Sequence, residues 1–577
     1  MKLFKQLLVA PAALGLLAPM SAGATEVNVA GVSDYASVSQ DVVAADQVTS
    51  ITQFSDVYPT DWAYQALSNL IERYGCVAGY PNGTYRGNRA MTRFEAAALL
   101  NACLDRVTEV TDELKRLMKE FEKELAIVKG RVDGLEARVG ELEATQFSTT
   151  TKMTGQTTFV IGANSYGGDS KGFRKNLKGD VEKVDRAELA AAASGATTFN
   201  YDFRLFLDTS FTGKDLLRTM LRAGNFGKSA FGGNSKYSGL TTMETAFEEG
   251  GANQIVVNRL WYQFPIGSNF TATVGGKVRQ DDMLAVWPSA YPSDTVLDFF
   301  TYAGAPQTYN LQLGAGAGLS WSDNDFSVSV NYVSGNGNVS SPYVSDADDP
   351  FKRGTDDCGG IATDCASSSG TVQIAYAPDN WGIAAAYNYA SGDNGAGIYA
   401  GNGTPLANKF SGLGTTNSVG ISAWWTPENA GWIPSISTGW GYNSVDISGT
   451  SRANKFTIDD VDYTGSIDGA TSQSWYVGLQ WADVFLKGNA AGMAVGQPTF
   501  VTSWDNDSSI NKGSDFVADG NYAWEWWYMF QVTDNITVTP AIFYLSRPLG
   551  ANTNGFISND DETFNNFGGL VKTTFRF

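Results

Sequence analysis

Six basic residues fall where a two-residue strand period would put them on one side of four neighbouring segments: Arg204, Arg218, Arg222, Arg259, Lys277 and Arg279. The phase is clearest in 197–207, where Phe199, Tyr201, Phe203, Leu205 and Leu207 share one side while Asp202, Arg204 and Asp208 take the other. The connection that follows, 281–308, opens with Asp281-Asp282 and carries Asp294 and Asp298 among Trp287, Tyr291, Phe299, Phe300 and Tyr302. Such a set does not suit acid–base or nucleophilic catalysis. The chain has no histidine, and no base or nucleophile accompanies the carboxylates as a protease-like or phospholipase-like role would need. What basic and acidic groups on facing surfaces can do is set a field across a passage, orienting polar solutes and favouring small ions. So many rings are not left in water, so 281–308 is expected to fold inward; an ordinary charged surface loop is the alternative.

That chemistry needs strands whose charged side is shielded from hydrocarbon. On a lipid face each cation would cost about 2–4 kcal/mol near the midplane, which assigns the six to the interior of a tube. Gly568 to Phe577 (GGLVKTTFRF) has the same design, with Val571, Thr573, Phe575 and Phe577 on one side and Lys572, Thr574 and Arg576 on the other. From 151 to 577 the sequence alternates in this way between Gly/Asn/Asp/Ser-rich connections. Sixteen strands are expected, at about 153–164, 197–211, 215–226, 253–265, 269–280, 309–322, 326–335, 369–378, 381–391, 414–426, 432–446, 471–483, 490–502, 521–533, 535–546 and 564–577. The fold class is therefore mainly β, a 16-stranded antiparallel transmembrane β-barrel. Connections alternate between short (Thr212-Gly213-Lys214, Pro378-Asp379-Asn380) and long (165–196, 281–308, 336–368), so short turns share one rim and long loops the other. Trp424-Trp425, Trp475, Trp481, Trp524 and Trp526-Trp527 suit interfacial girdles or sugar-stacking platforms; phase leaves only Trp527, with Glu525 and Gln531, as an interior candidate.

Bulk properties fit. The 577 residues exceed one ordinary soluble domain, and a net charge of −20 argues against nucleic acid as a partner. A mean hydropathy of −0.18 excludes a bundle of membrane helices but not half-polar barrel strands. Residues 1–24 read as a secretory signal, with Lys2 and Lys5, an apolar run from Leu7 to Leu17, and Ala22-Gly23-Ala24 before Thr25. Residues 25–50 are a small, polar lead. Of the 4 cysteines, Cys358 and Cys365 are spaced for a disulfide clip in an exposed loop, and the metal reading lacks further ligands nearby. No metal or cofactor is expected.

Residues 51–106 form a small helical module. Asp61-Trp62-Ala63-Tyr64-Gln65-Ala66-Leu67 begins a helix, Gly79-Tyr80-Pro81-Asn82-Gly83-Thr84-Tyr85 is a turn, and Thr92 with Glu95 makes a capping box for a second helix. With Phe54-x-Asp56-Val57, Arg86 and Thr92-Arg93 in order, the module resembles a surface-layer homology (SLH) domain. The resemblance implies binding of peptidoglycan-linked polysaccharide through Asp56, Trp62, Gly79, Tyr80, Arg86 and Arg93. Trp62 and Thr92 are equally read as builders of the fold, and Asp61 stands where the family often has histidine. Leu100, Leu104, Val107, Leu114, Met118, Phe121, Leu125, Val128, Val132, Leu135, Val139 and Leu142, with Thr111 in the vacant slot, then recur at alternating four and three, a coiled-coil seam assigned to 107–146 and wanting identical partners.

The order of signal, SLH module, coiled coil and barrel is similar to cyanobacterial outer-membrane porins related to the carbohydrate-selective porin family. This implies passive diffusion of small solutes, mainly inorganic ions, through a homotrimer in outer-membrane lipid. The wet residues would then form a constriction with 281–308 as the inward loop, while the SLH domain and coiled coil occupy the periplasm. A primarily structural tether and a sugar-selective channel are the rival readings.

Overall fold

The computed structural model describes residues 50–61, 64–72, 84–85, 119 and 121, and from 150 to 577 all but 176–180, 234–236, 238, 294–295, 343–357, 364, 392–395, 400, 430, 448–454, 459–460, 465–466, 507–515 and 554–561. The chain divides into two compact units, Met1–Gln146 and Phe147–Phe577. The expected signal, nearly all of the lead and the coiled-coil seam other than Phe121 lie outside the described residues, as do Cys76 and Cys103.

In the first unit a short 3-10 turn, Ile51–Gln53, precedes helix α1, Tyr64–Glu72. Ile51, Phe54, Leu67 and Ile71 are buried together, with Val57, Tyr64, Leu70 and Tyr85 packed against them. The rings of Phe54 and Tyr85 lie 5.6 Å apart.

The second unit is a closed barrel of sixteen antiparallel strands. In chain order these are β1 Thr151–Gly168, β2 Thr198–Thr209, β3 Leu216–Gly224, β4 Val256–Ile266, β5 Phe270–Arg279, β6 Leu313–Asp323, β7 Phe326–Ser334 and β8 Ser368–Tyr376. They continue as β9 Trp381–Ser391, β10 Thr415–Trp425, β11 Ser435–Asp446, β12 Ile467–Ala482, β13 Ala490–Asn506, β14 Tyr522–Thr533, β15 Ile536–Ser546 and β16 Phe564–Arg576. Every expected strand is present, with ends moved by up to four residues, as where β12 begins at Ile467 rather than 471. The long connections add two small hairpins (Lys171–Lys175 with Val181–Asp185, and Lys455–Ile458 with Val461–Thr464) and helices α2, Arg186–Ser194, and α3, Pro405–Ser411.

Closure is made by β1 against β16, in register from Gln156↔Arg576 to Gly168↔Phe564. Gly155 N donates to Phe577 O at 2.7 Å and Phe577 N to Gly155 O at 3.0 Å, extending the seam beyond the last strand residue. A closed ladder leaves no edge, which is the condition for β-structure in hydrocarbon.

The alternation is inverted relative to a soluble sheet. Along β11, Ser435, Ser437, Gly439, Gly441 and Asn443 are buried inside while Ile436, Trp440 and Tyr442 are exposed outside. Ile161, Val274, Val330, Val372, Ile383, Ile421 and Ile542 are likewise exposed on other strands. Phe159 packs between Phe199 and Phe575, at 5.9 and 6.0 Å. The lumen face is hydroxyl- and amide-rich, as at Thr158 and Thr574, whose hydroxyls meet at 3.1 Å.

Seven short turns and both outer ends of the seam share one rim, and the long connections occupy the other. In the β2–β3 turn Gly213 takes φ +79°, open to glycine without strain. Asp215 holds that turn by accepting from Phe211 N, Thr212 N, the Ser210 and Thr212 hydroxyls, and Tyr262 Oη.

An arginine replacing Val330, which pairs with Val372 mid-strand on the outer face, should cost about 2–4 kcal/mol of folding free energy in lipid. Urea unfolding in vesicles checks this, and an unchanged midpoint contradicts the outward assignment.

Candidate functional site

Strands β2 to β5 bring all six predicted cations to one wall of the lumen. None stands as a bare positive charge. Arg222 Nε and Nη2 donate to both oxygens of Asp202 at 2.7 and 3.1 Å, and Arg204 Nε donates to Asp202 at 2.6 Å. Arg204 also reaches Glu244 at 3.2 Å. Arg218 makes a two-bonded pair with Asp208, at 2.9 and 2.8 Å, and lies over the rings of Phe206 and Trp261. Arg259 Nε donates to Asp282 at 2.7 Å, Lys277 Nζ to Glu249 at 2.7 Å, and Arg279 donates twice to Asp281. The expected basic wall is thus corrected to a wall of ion pairs. The reason is desolvation: Arg222 and Arg259 are almost fully buried, and a buried cation persists only with a carboxylate against it.

Asp281 and Asp282 face the wall as expected, in contact with it. Asp298 does something else. Its buried carboxylate accepts from Asn402 Nδ2 at 2.7 Å, joining two long connections. Burial pushes the Asp298 carboxyl up to about 7. Asp294 lies outside the described residues.

The connection 280–312 runs inside the barrel. Tyr291 Oη and Leu297 N both donate to Glu525 on β14, each at 2.8 Å, and Trp527 Nε1 donates to Tyr291 Oη at 2.9 Å. Ala290 N and Tyr291 N donate to Ser437 Oγ on β11 at 2.9 Å, and Ala285 N to Ser329 Oγ on β7 at 2.9 Å. Backbone meets backbone where Gly304 crosses β11: a side chain at Gly439 would come within 1.8 Å of the Ala303 carbonyl oxygen. Trp527, the interior aromatic expected from phase, packs against this loop.

Two further connections enter the lumen, which sequence reasoning missed. From 225–255, Phe226, Phe231, Leu240 and Met243 are buried in one cluster with Val160, Phe543 and Leu570. The same segment supplies Glu244 and Glu249 to the wall pairs. From 392–414, Thr404 N donates to Thr499 O and Thr499 N to Asn402 O, at 2.9 and 3.0 Å, while the Thr404 hydroxyl donates to Asp519. Among the described residues, three long connections therefore place side chains inside the barrel. A weaker form of the signal that singled out 281–308 was present in 225–255, in the rings of Phe226, Phe231, Tyr237 and Phe247.

Between wall and loops lies a cavity of about 900 Å³, lined by Arg204, Arg222, Arg259, Lys277, Arg279, Glu244, Glu248, Glu249, Asp281 and Asp298, with Phe247, Trp287, Tyr302 and Tyr399 among its aromatic surfaces.

A family model described as carbohydrate-selective porin, OprB family, matches residues 109–577, and one for the S-layer homology domain matches 53–97. The chain belongs to the carbohydrate-selective porin (OprB) family. It is an outer-membrane porin that carries an N-terminal SLH domain. It is 34% identical to the uncharacterized protein alr4550 of Nostoc sp., over 92% of this chain and 86% of that one. It is 30% identical to the uncharacterized protein sll0772 of Synechocystis sp., over 92% and 91%. Among solved structures, Pseudomonas putida OprB is similar at 12% identity with a TM-score of 0.43, covering 76% of this chain and 96% of its own.

In the SLH domain, Asp56 Oδ1 accepts from Tyr85 N at 2.6 Å, which ties Tyr85 to the segment carrying its ring partner Phe54. Trp62, Gly79, Tyr80, Arg86 and Arg93 lie outside the described residues. Cys358 and Cys365 are joined in a disulfide, with Cα atoms 5.6 Å apart, and Asn336 Nδ2 donates to both their carbonyls.

Replacing Glu525 by alanine orphans the Tyr291 hydroxyl and the Leu297 amide, at about 1–3 kcal/mol for each donor left buried. Mean conductance and open-channel noise should rise while the barrel's melting is unchanged; an unaltered conductance trace refutes the latch. The raised Asp298 carboxyl gives a second expectation. Between about pH 4 and pH 7 it is protonated in the folded loop and ionised in an unfolded one, so loop packing weakens as pH rises through that window and levels off above it. Open-channel noise should therefore climb over this range in the wild type and stay flat in Asp298→Asn; a parallel climb in both rules it out.

Proposed function

We propose that this porin passes small hydrophilic solutes, chiefly inorganic ions, by passive diffusion, and ties the outer membrane to the cell wall. The observation that carries the first half is the charge-lined cavity at the level where loop 280–312 crosses the lumen. Hydrogen bonds anchor that loop to β7, β11 and β14. Arg204, Arg218, Arg222, Arg259, Lys277, Arg279, Asp281 and Asp282 then act as fixed charges along the passage. With each wall cation beside a carboxylate, both ion signs find a partner. This supports weak ion-sign preference over exclusion of one sign.

The second half rests on connectivity. β1 begins and β16 ends on the short-turn rim, which in this class of barrel faces the periplasm. The chain preceding β1 therefore leaves from that side, where peptidoglycan-linked polysaccharide is. Asp56, Trp62, Gly79, Tyr80, Arg86 and Arg93 are the residues assigned to it, with Arg86 and Arg93 offering guanidinium forks suited to carboxylate-bearing sugars. The seam across 107–146 supports a homotrimeric stalk, with three chains providing three SLH modules.

Sugar selection is the second reading, favoured by Trp287, Tyr302 and Tyr399 lining the same cavity as the charges. Vesicle swelling that ranks neutral sugars by identity rather than size would support it.

Removing 51–106 should abolish cosedimentation with isolated cell wall and leave single-channel conductance in planar bilayers within about twofold of the full chain. Retained cosedimentation overturns the tether, and lost conductance overturns the independence of the two roles.

A further inference from the structure

Three of the wall pairs share a common sense, while Asp202 and Asp208 meet Arg204, Arg222 and Arg218 from strand β2 itself. In Arg204–Glu244 and Lys277–Glu249 the cation stands on a barrel strand and the carboxylate on loop 225–255, at 3.2 and 2.7 Å. In Arg279–Asp281 the carboxylate stands at the start of loop 280–312. All six side chains line the one cavity. Each keeps part of its surface open, from 17% for Arg204 to 43% for Glu249. They form a bank of dipoles whose positive ends are on the strands and negative ends on the loops, held there by the loops' anchorage to the barrel.

We propose that this cavity favours small zwitterions, α-amino acids as a class, over neutral solutes of the same size. The inference rests on the reading of the cavity as the route of permeation. A lone cation beside such a pair meets one attractive and one repulsive charge at nearly equal distance, so its gain is small. An uncharged solute gains no charge–charge interaction. A zwitterion can lie antiparallel alongside, its carboxylate toward the strand cations and its ammonium toward the loop carboxylates, and both ends gain together. Because the array is preorganised, the solute's hydration shell is exchanged for fixed charges without rearranging the protein.

Glycine and its uncharged isomer glycolamide have the same atoms and nearly the same size, which isolates charge from bulk. The full chain in liposomes should admit glycine at least about threefold faster than glycolamide, a modest enrichment for a field-focusing cleft. In K277Q/E249Q, which removes one dipole without changing net charge, the ratio should fall toward that of empty wall. The charge-swapped K277E/E249K restores a dipole of reversed sense, which a solute free to turn satisfies, so its ratio should recover. Equal entry of the two isomers through a wild-type channel that conducts salt overturns this inference alone. A ratio unmoved in K277Q/E249Q overturns its assignment to the pairs. A reconstituted barrel that conducts no salt overturns the permeation reading and this inference with it.

Discussion

In hydrocarbon no water stands ready to bond a stray amide, so each unpaired backbone group costs several kcal/mol. The β1–β16 seam is the contact by which this chain meets that constraint. Its pairing converts sixteen hairpin- and loop-linked strands into a tube without edges. Everything else is permitted by closure: isoleucine, valine and ring side chains are exposed because their surroundings are oil, and serine, threonine and asparagine are buried because the lumen is wet. Gly155 and Phe577 exchange two backbone bonds at the very start of the seam.

Inside the tube the governing economy is electrostatic. Six cations project from strands β2 to β5 into a space with limited water, and each is met by a carboxylate. Asp202 and Asp208 come from strand β2 itself: Asp208 faces Arg218 in register, while Asp202, opposite Gly224, reaches Arg222 diagonally and Arg204 along its own strand. The other carboxylates come from loops 225–255 and 280–312. Charge pairing therefore helps to pull two loops inward, and the buried rings of Phe226, Phe231, Phe299 and Phe300 follow. The third loop is drawn in through Asn402 and Thr404, with hydrogen bonds to Asp298 and Asp519.

The strands were legible because a lipid-facing strand obeys the simplest rule in protein structure, a period of two with inverted polarity. Phe199 to Asp208 could be assigned to two faces from side-chain type alone, and the coordinates place them so. The inward fold of 280–312 was legible for a related reason, since Tyr291, Phe299 and Phe300 had to be covered. The pairing of the cations was not. Glu244 and Glu249 lie 40 and 28 residues from Arg204 and Lys277, and no local period encodes a contact made across an irregular loop. Asn402 was invisible for the same reason: a neutral amide in a Gly/Asn-rich connection carries no signal until the carboxylate it serves is seen. In the SLH domain the motif gave the module, while Asp56 proved to be bonded to the backbone of Tyr85.

The sidedness of the two rims bears on how such a tube reaches its place. With both strand termini and the short turns together, the opposite rim must lead as the barrel enters the bilayer, and its loops must traverse the oil. Their polar backbone would make that passage costly if they trailed outside. Three of them are instead stowed in the lumen, and amides of two, 280–312 and 392–414, are already bonded to Ser437, Glu525 and Thr499 of the strands. The interior of the finished channel is thus also the hold in which much of its own outer surface can be carried across.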